Sequence, residues 1–291
     1  MLNWLVSYPK SGNTWVRIFL SAYIQDAKPD INKLTGTVSD QLPAAHHIGY
    51  NLNMKDIDPE HSLLTRSMAL LRIAYTYQNQ DKHKILGEDW PLILKTHVAN
   101  AVIHGMRLIP PTLTEKIVLI VRDPRDIVLS YAKHFGFTLD EAIDAMMNDQ
   151  LVLSDKSNRD KAPHHTTSWR NSVALYATSP DLDVTVVRYE QLKEDPARYF
   201  SWILKWYGIP VDKARVKRAV GACKLSKMRK QEDDKGFLEA SDKAERFFGK
   251  GKTGGWKDVL TPEQVERLEA HGEDMMKIFG YLEDNQLKAV A

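Results

Sequence analysis

Residues 4–17 read WLVSYPKSGNTWVR, and this stretch predicts a buried strand, a tight loop and the beginning of a helix. Gly12 allows a sharp turn of the backbone, and Asn13 or Thr14 can open a helix. The first N–H groups of such a helix attract an anion, and Lys10 adds a positive charge. ATP-binding loops end in Gly-Lys-Ser/Thr, whereas here the lysine precedes the glycine. The stretch therefore predicts an anion-binding loop of a different kind.

The composition indicates a globular chain with little net charge. Of its 291 residues 43% are hydrophobic, which is enough for one large α/β domain. Lys and Arg total 40 against 38 Asp and Glu, so the charge predicts neither a nucleic-acid nor a membrane partner. The single cysteine, Cys223, argues against a disulfide framework and is typical of a reducing compartment. We expect a cytoplasmic protein, because the first strand leaves no room for a signal peptide and no run reaches the roughly 20 apolar residues that span a bilayer.

Apolar runs alternate with helical patterns along the chain. The runs predict buried strands at 3–7, 92–96, 116–122 and 184–188, and the patterns between them predict helices at 14–24, 126–133, 169–177 and 196–207. This alternation predicts an α/β fold, in which a single domain over residues 1–291 has a central parallel sheet flanked by helices. Ligands of such sheets bind at the carboxyl ends of the strands. Each predicted strand has a polar candidate there: Lys10, His97, Arg122 and Tyr189.

The motif VRDPRDIVLSY, residues 121–131, follows the third predicted strand. Pro124 stops the strand, and Asp126 is a candidate cap for the next helix. Arg122 can donate two charge-assisted hydrogen bonds to a phosphate, and Ser130 can donate a third. The same charges could instead form surface ion pairs. On its own, the motif leaves a phosphate site and a solvated charged turn equally open.

The second predicted strand ends in LKTHV, residues 94–98. A histidine suits the role of general base, because its unperturbed pKa of about 6.5 leaves a neutral imidazole at physiological pH. A lone histidine is more often structural, but the position of His97 at a strand end favours a site. The histidine pairs 46–47 and 164–165 lack carboxylates at metal-ligand spacing, so we expect solvated loops there and no metal site.

Taken in order from residue 3 to residue 281, these motifs resemble those of the sulfotransferases that use 3′-phosphoadenosine 5′-phosphosulfate (PAPS). The resemblance implies the P-loop-like sulfotransferase fold, PAPS as donor and 3′-phosphoadenosine 5′-phosphate (PAP) as product. It implies transfer of a sulfuryl group by in-line displacement to a hydroxyl, or an amine, of a small-molecule acceptor. It also implies acceptor-binding insertions at about 28–90 and 136–165, and a mobile segment at about 231–256 that covers the cofactor. Sulfuryl transfer requires no metal, and no oligomeric state is indicated.

The resemblance implies a role for each motif. It makes His97 the catalytic base and Lys10 and Lys95 the other catalytic residues. The implied cofactor-binding residues are Lys10, Ser11, Gly12, Asn13, Thr14, Trp15, Arg122, Ser130, Tyr189, Lys250 and Gly251.

Two segments near the C-terminus depart from the family pattern. Residues 249–257 read GKGKTGGWK and are similar to the signature Arg-Lys-Gly-x-x-Gly-Asp-Trp-Lys. Gly249 replaces the arginine and Gly255 the aspartate, so one phosphate contact is missing unless Arg246 or Lys252 replaces it.

Residues 224–225 are Lys-Leu where relatives often have Ser-Phe for contacts to the nucleotide. This departure makes Trp15 the better candidate for stacking on adenine.

Two other functions are compatible with the residues. Asp123 after an apolar strand imitates the Mg²⁺-holding motif of P-loop NTPases, which would make the protein a Mg-ATP-dependent phosphotransferase. The departures at Gly249 and Gly255 are also compatible with a non-catalytic PAP-binding module.

Overall fold

The computed structural model of the protein describes residues 1–40, 59–79, 90–153, 164–249 and 251–283. In these residues the strands are β1 Leu2–Ser7, β2 Val38–Ser39, β3 Ile93–Thr96, β4 Val102–Ile103, β5 Met106–Arg107, β6 Thr114–Val121, β7 Val152–Leu153, β8 His164–His165 and β9 Val184–Arg188. The helices are α1 Asn13–Gln25, α2 Pro59–Asn79, α3 Pro124–Phe135, α4 Leu139–Met147, α5 Trp169–Ala177, α6 Tyr189–Glu194, α7 Pro196–Trp206, α8 Lys213–Ala222, α9 Leu225–Lys235 and α10 Pro262–Ile278. Short 3₁₀ turns lie at Pro111–Leu113 and Gly255–Asp258.

A five-stranded sheet in the order β2-β3-β1-β6-β9 forms the centre of the molecule, and its strand pairs are parallel. The four predicted strands and the helices between them are confirmed, with ends shifted by two residues or fewer for the strands. The two-residue strand β2 at the sheet edge was not predicted from the sequence. Two small antiparallel pairs, β4-β5 and β7-β8, lie outside this sheet.

The strands read as continuous apolar runs because both faces of the sheet are covered. Alternate residues of β1 point to opposite faces, so Leu5 packs in one core cluster while Trp4 and Val6 pack in another. The first cluster includes Phe19 of α1, and the rings of Phe19 and Phe200 stack at 3.9 Å between centroids. The second cluster is built from α3, α5 and α10. The sheet is therefore the middle layer of a three-layer α/β structure.

Helix α3 begins two residues earlier than the sequence predicts, and Asp126 is not its cap. The cap is Asp123, whose carboxylate accepts a hydrogen bond from the Arg125 N–H at 2.9 Å. Pro124 is the first helical residue, because its fixed φ suits that position and it has no N–H to leave unpaired. Asp126 consequently lies inside the first turn and is available for another partner.

The implied insertions are described in part. Helix α2 and strand β2 belong to the first, and α4 with β7 and β8 to the second, whereas residues 41–58, 80–89 and 154–163 lie outside the described ranges. The acceptor-binding role of both insertions and the mobility of 231–256 stay predictions. None of the helices in the described ranges combines the length and the apolar composition needed to cross a bilayer.

Candidate active site

The loop between β1 and α1 has the geometry of an anion cradle. Lys10 and Gly12 both have left-handed backbone angles, with φ of 67° and 102°. The Ser11 N–H donates to the Tyr8 carbonyl at 3.3 Å, which closes the turn. Gly12 is the N-cap of α1 and has no side chain that could accept a hydrogen bond from the helix end. The first N–H groups of α1 therefore face the loop without a side-chain acceptor from the N-cap. The Ser11 hydroxyl is buried and has no hydrogen-bond partner among the described residues.

Asn13 contributes to this loop through its backbone. Its side-chain amide turns toward β1 and donates to the Leu5 carbonyl and the Ser7 hydroxyl, both at 3.3 Å. The amide therefore fastens the beginning of α1 to the strand. Of the predicted neighbours, Thr14 and Trp15 are half-buried at the same helix end.

The Lys10 ammonium is held close to an aromatic ring. Its Nζ lies 3.9 Å from the centroid of Phe247, which belongs to the segment predicted to cover the cofactor. Burial, followed by the positive charge of Arg122, lowers the pKa of Lys10 to about 8. A bound anion would oppose both effects, because a nearby negative charge stabilises the protonated ammonium and raises its pKa.

Tyr189 brings four of the predicted residues together. A Cβ on Gly12 would come within 2.6 Å of the Tyr189 ring, so the ring lies directly against the loop. The Trp15 ring packs edge-on against Tyr189 at 5.9 Å, and the Arg122 guanidinium lies 4.5 Å from the Tyr189 centroid. The Tyr189 hydroxyl lies 3.6 Å from the point where a Cβ on Gly251 would stand.

Arg122 joins the loop to the C-terminal segment. Its two Nη atoms donate to the carbonyl oxygens of Lys10 and Lys252, each at 3.2 Å, and its Nε is buried without a partner. Ser130 is half-buried on α3, and no hydrogen bond joins it to Arg122 in the part of the chain that the structure describes. Lys250 lies outside the described residues.

Asp126 is a site residue that the sequence reading missed. Its carboxylate accepts hydrogen bonds from the N–H groups of Gly254 at 2.7 Å and Trp256 at 3.2 Å. The motif of residues 121–131 contains this aspartate, but an acidic residue in the first turn of a helix is normally interpreted as a helix cap. Asp126 instead fastens the glycine-rich C-terminal loop to α3.

Both candidates for the missing basic contact are engaged elsewhere. Arg246 pairs with Asp233 at 2.5 Å, and Lys252 pairs with Asp258 at 2.8 Å, all four side chains being exposed. Neither cation is held toward Tyr189 by these contacts.

The His97 ring has the tautomer and the neutral charge state that a general base needs. Its Nδ1 lies 2.7 Å from the Ser7 carbonyl oxygen, which can only accept, so Nδ1 carries the hydrogen and Nε2 has the free lone pair. Burial, then the positive charge of Lys95, lowers the pKa of His97 well below its usual value. The ring is therefore neutral at physiological pH and able to accept a proton at Nε2.

A buried polar cluster lies behind His97, and sequence reasoning did not find it. Asp40 accepts hydrogen bonds from Thr96 Oγ1 at 2.7 Å and from Arg66 Nη2 at 2.9 Å. Its other oxygen lies 3.4 Å from His164 Nε2. The side chains of Asp40, Arg66 and His164 are 0%, 6% and 5% exposed. Burial opposes charge on Asp40, but His164, Arg66 and Thr96 hold the pKa of this carboxyl well below its usual range.

This cluster positions the strand end that carries His97. The Thr96 hydroxyl, besides donating to Asp40, accepts the Val98 N–H at 3.0 Å, so the backbone is held on both sides of His97. The His164 ring lies 6.3 Å from the His97 ring. The prediction of a solvated loop at 164–165 is wrong, because strand β8 pairs with β7 and turns His164 inward. The other pair, 46–47, lies outside the described residues.

The donor set fits an anionic nucleotide. Three donors lie at one end of the sheet: the Lys10 ammonium, the Ser11 hydroxyl and the Arg122 Nε. The last two have no hydrogen-bond partner among the described residues. Gly12 allows the Tyr189 ring to lie directly against the loop. Buried donors without partners are costly unless a ligand or water satisfies them.

Comparison with known proteins gives a consistent match. The model of the sulfotransferase domain family matches residues 3–280. The chain is 22% identical over 280 residues to Cytosolic sulfotransferase 10 of Arabidopsis thaliana, covering 94% of this chain and 77% of the relative. It is 25% identical over 283 residues to Sulfotransferase 1A1 of Bos taurus, covering 91% of this chain and 80% of the relative.

Two solved structures have the same fold. Retinol dehydratase in a complex with retinol and PAP superposes with a TM-score of 0.59 at 17% identity, covering 99% of this chain and 83% of that one. Mouse sulfotransferase SULT7A1 complexed with PAP gives a TM-score of 0.57 at 19% identity, covering 95% of this chain and 84% of that one.

Proposed function

Because the chain belongs to the sulfotransferase family, we propose that it transfers a sulfuryl group from PAPS to a hydroxyl, or an amine, of a small-molecule acceptor. The observation that carries this proposal is the convergence of the anion cradle, Arg122 and Gly251 around Tyr189. PAP in two solved structures of the same fold supports PAPS as the donor. The word cytosolic in the names of several relatives supports action in the cytoplasm.

The cradle is proposed to hold the 5′ end of the cofactor. Lys10, the Ser11 hydroxyl and the first N–H groups of α1 would bind the 5′-phosphate oxygens. When bound, PAPS supplies the sulfuryl group on a phosphosulfate linkage. The Lys10 ammonium would stabilise the negative charge that develops on the leaving phosphate during in-line displacement.

The 3′-phosphate is proposed to lie on the other side of Tyr189. Within the described residues, the Arg122 Nε has no hydrogen-bond partner. Its Nη groups donate to carbonyl oxygens, which are weaker partners than a phosphate. Gly251 begins the loop that Asp126 fastens to α3, and its small size leaves room beside the Tyr189 hydroxyl. Ser130 and Lys250 stay proposed ligands of the same phosphate.

His97 is proposed to take the proton of the acceptor at Nε2. The hydrogen bond from Nδ1 to the Ser7 carbonyl fixes the ring orientation, and the lowered pKa keeps Nε2 free of a proton. Lys95 lies two residues before His97 on β3, and its charge helps to keep the ring neutral. Retinol and androsterone, which the related retinol dehydratase binds, support an apolar alcohol as the kind of acceptor to screen first.

The two alternatives have less support. A Mg-ATP phosphotransferase needs Asp123 as a metal ligand, but both Asp123 oxygens accept hydrogen bonds from Arg125. A non-catalytic PAP-binding module has no need of a neutral, oriented histidine beside the cradle.

Calorimetric titration with PAP, with ADP as the control and EDTA present throughout, tests the proposal. We expect binding of PAP and much weaker binding of ADP, because ADP lacks the 3′-phosphate. Equal affinity for the two nucleotides, or no binding without Mg²⁺, would overturn the proposed donor.

A further inference from the structure

The nucleotide site has a deficit of positive charge at Gly249. The sulfotransferase signature has an arginine at this position, and the two nearby cations, Arg246 and Lys252, are paired with carboxylates at the surface. Arg229 reaches the same loop, but its Nε and Nη2 donate to the carbonyl oxygens of Phe248 and Gly249. These contacts hold the loop in place, and they engage the Arg229 guanidinium with backbone carbonyl oxygens.

Lys193 is a cation at the edge of the site that none of the sequence motifs includes. It lies four residues after Tyr189 on helix α6, so the two side chains occupy the same face. Its Nζ is 3.9 Å from the point where a Cβ on Gly251 would stand, and 5.9 Å from the centroid of Trp15. The side chain is exposed, and within the described residues it forms no ion pair with a carboxylate.

Lys193 and Arg122 both lie in the neighbourhood of Tyr189, since the Tyr189 hydroxyl and the Lys193 Nζ are each within 4 Å of the point where a Cβ on Gly251 would stand. The Arg122 guanidinium lies over the Tyr189 ring, while the Lys193 ammonium lies beside Gly251, next to the Tyr189 hydroxyl. A phosphate bound by Arg122 at the Gly251 loop would therefore lie within reach of both cations. A lysine has a flexible stem and three donors, so it can turn from the Trp15 ring to a phosphate oxygen without moving the backbone.

We propose that Lys193 supplies the positive charge for the nucleotide 3′-phosphate that Gly249 lacks. The inference rests on the proposed function, since it concerns a ligand of the PAPS site. It makes Lys193 a determinant of selectivity for nucleotides that carry a 3′-phosphate over those that do not.

The test compares PAP with 5′-AMP, which lacks the 3′-phosphate, by calorimetric titration of the Lys193→Gln variant. We expect the affinity for PAP to fall by about tenfold, as for loss of one charge-assisted hydrogen bond, and the affinity for 5′-AMP to stay unchanged. The matched control is Lys277→Gln, which removes the same charge from a lysine on α10 that pairs with Glu273. This control should keep the wild-type ratio of the two affinities.

A second variant places the charge where the family has it. A Cβ on Gly249 meets nothing within 4 Å among the described residues, so the position accepts a side chain at its first carbon. Gly249→Arg in the Lys193→Gln background should restore the affinity for PAP. If the affinity is not restored, the loss in Lys193→Gln is not a loss of charge at this place, and the inference is overturned.

The outcomes separate the inference from the proposed function. A wild-type protein that binds PAP no better than 5′-AMP would overturn the proposed function itself. A wild-type preference for PAP that survives Lys193→Gln would overturn only the role of Lys193. Equal weakening of PAP and 5′-AMP would place Lys193 on the part that both nucleotides share, and would also overturn its assignment to the 3′-phosphate.

Discussion

Gly12 of the cradle cannot be replaced by any residue that has a side chain. Its φ of 102° is unfavourable for any residue with a Cβ, and a Cβ there would come within 2.6 Å of the Tyr189 ring. The same position therefore needs glycine for the turn and for the close approach of Tyr189. Lys10 has a φ of 67° without being a glycine, which is the kind of local strain that clusters at functional sites.

At the scale of single residues, the role of His97 as a base can be tested by substitution. His97→Ala should abolish turnover and leave the dissociation constant for PAP unchanged, because the ring acts on the acceptor and not on the nucleotide. Turnover measured with any accepted alcohol, beside a PAP titration, checks both parts. His271→Ala removes an imidazole from α10 and serves as the control. Near-normal turnover in His97→Ala would remove the histidine from the mechanism.

The pH profile gives His97 a second readout. The base acts in its neutral form, and its pKa is lowered from the ordinary value, so the active form persists below pH 6.5 and is lost only as the pH falls through the lowered pKa. We expect kcat/KM of the wild-type protein not to fall as the pH is lowered from about 8 to about 6.5, because His97 stays neutral and Lys10, whose pKa is about 8, only gains its proton over this range. A fall centred near pH 6.5 would show an ordinary, solvated histidine.

At the scale of elements, α3 organises the C-terminal loop. Asp123 caps the helix, and Asp126, one turn along, accepts two N–H groups of the loop that follows Gly251. Arg122, which immediately precedes this pair, donates to the Lys252 carbonyl. One strand-to-helix junction therefore binds the loop and faces the proposed phosphate.

Asp126→Asn tests this junction. Asparagine has only one accepting oxygen, and its NH2 group cannot accept the second N–H. Hydrogen exchange at the amide of Gly254 or Trp256 should therefore become about tenfold faster, and PAP should bind more weakly. Exchange measured residue by residue checks the first effect, and calorimetry checks the second. Asp258→Asn changes a carboxylate in the same segment that pairs with Lys252, and it should leave both amides unchanged. Unaltered exchange in Asp126→Asn would mean that other contacts hold the loop.

At the scale of the whole molecule, Asp40 joins parts of the chain that are far apart in sequence. Arg66 comes from α2, Thr96 from β3 and His164 from β8, and all three face the same buried carboxylate. Arg66 also donates to the Leu108 carbonyl at 2.5 Å. The cluster thereby connects both implied acceptor-binding insertions to the strand that carries His97.

Asp40→Asn should be strongly destabilising. It leaves the charge of Arg66 buried without its countercharge, and loss of one member of a buried ion pair costs about 3–5 kcal/mol in the free energy of unfolding. Denaturant unfolding checks the value. The control is Asp26→Asn, which breaks an exposed pair with Arg218 and should leave the free energy of unfolding essentially unchanged. Equal effects in the two variants would show that the buried cluster adds nothing to stability.

The sequence by itself determined the sheet, the order of its strands and helices along the chain, and the loop at Lys10. These follow from local properties, since apolar runs of strand length, helical spacing and glycine at a turn act over a few residues. His97, Arg122 and Tyr189 were found because parallel strands bring their carboxyl ends to one edge of the sheet. Local pattern also led to two errors: Asp126 was read as a candidate cap when Asp123 has that role, and residues 164–165 were read as a solvated loop when they form strand β8.

The tertiary structure alone decided which side chains meet. Asp40, Arg66 and His164 lie far apart in sequence, and nothing local marks a buried carboxylate that three distant elements share. The pairing of Arg246 and Lys252 with carboxylates, and the placement of Lys193 beside Gly251, depend on how helices pack on the sheet. The physical reason is that strand and helix formation is a property of a segment, whereas the pairing of a buried or interfacial charge is a property of the packed chain.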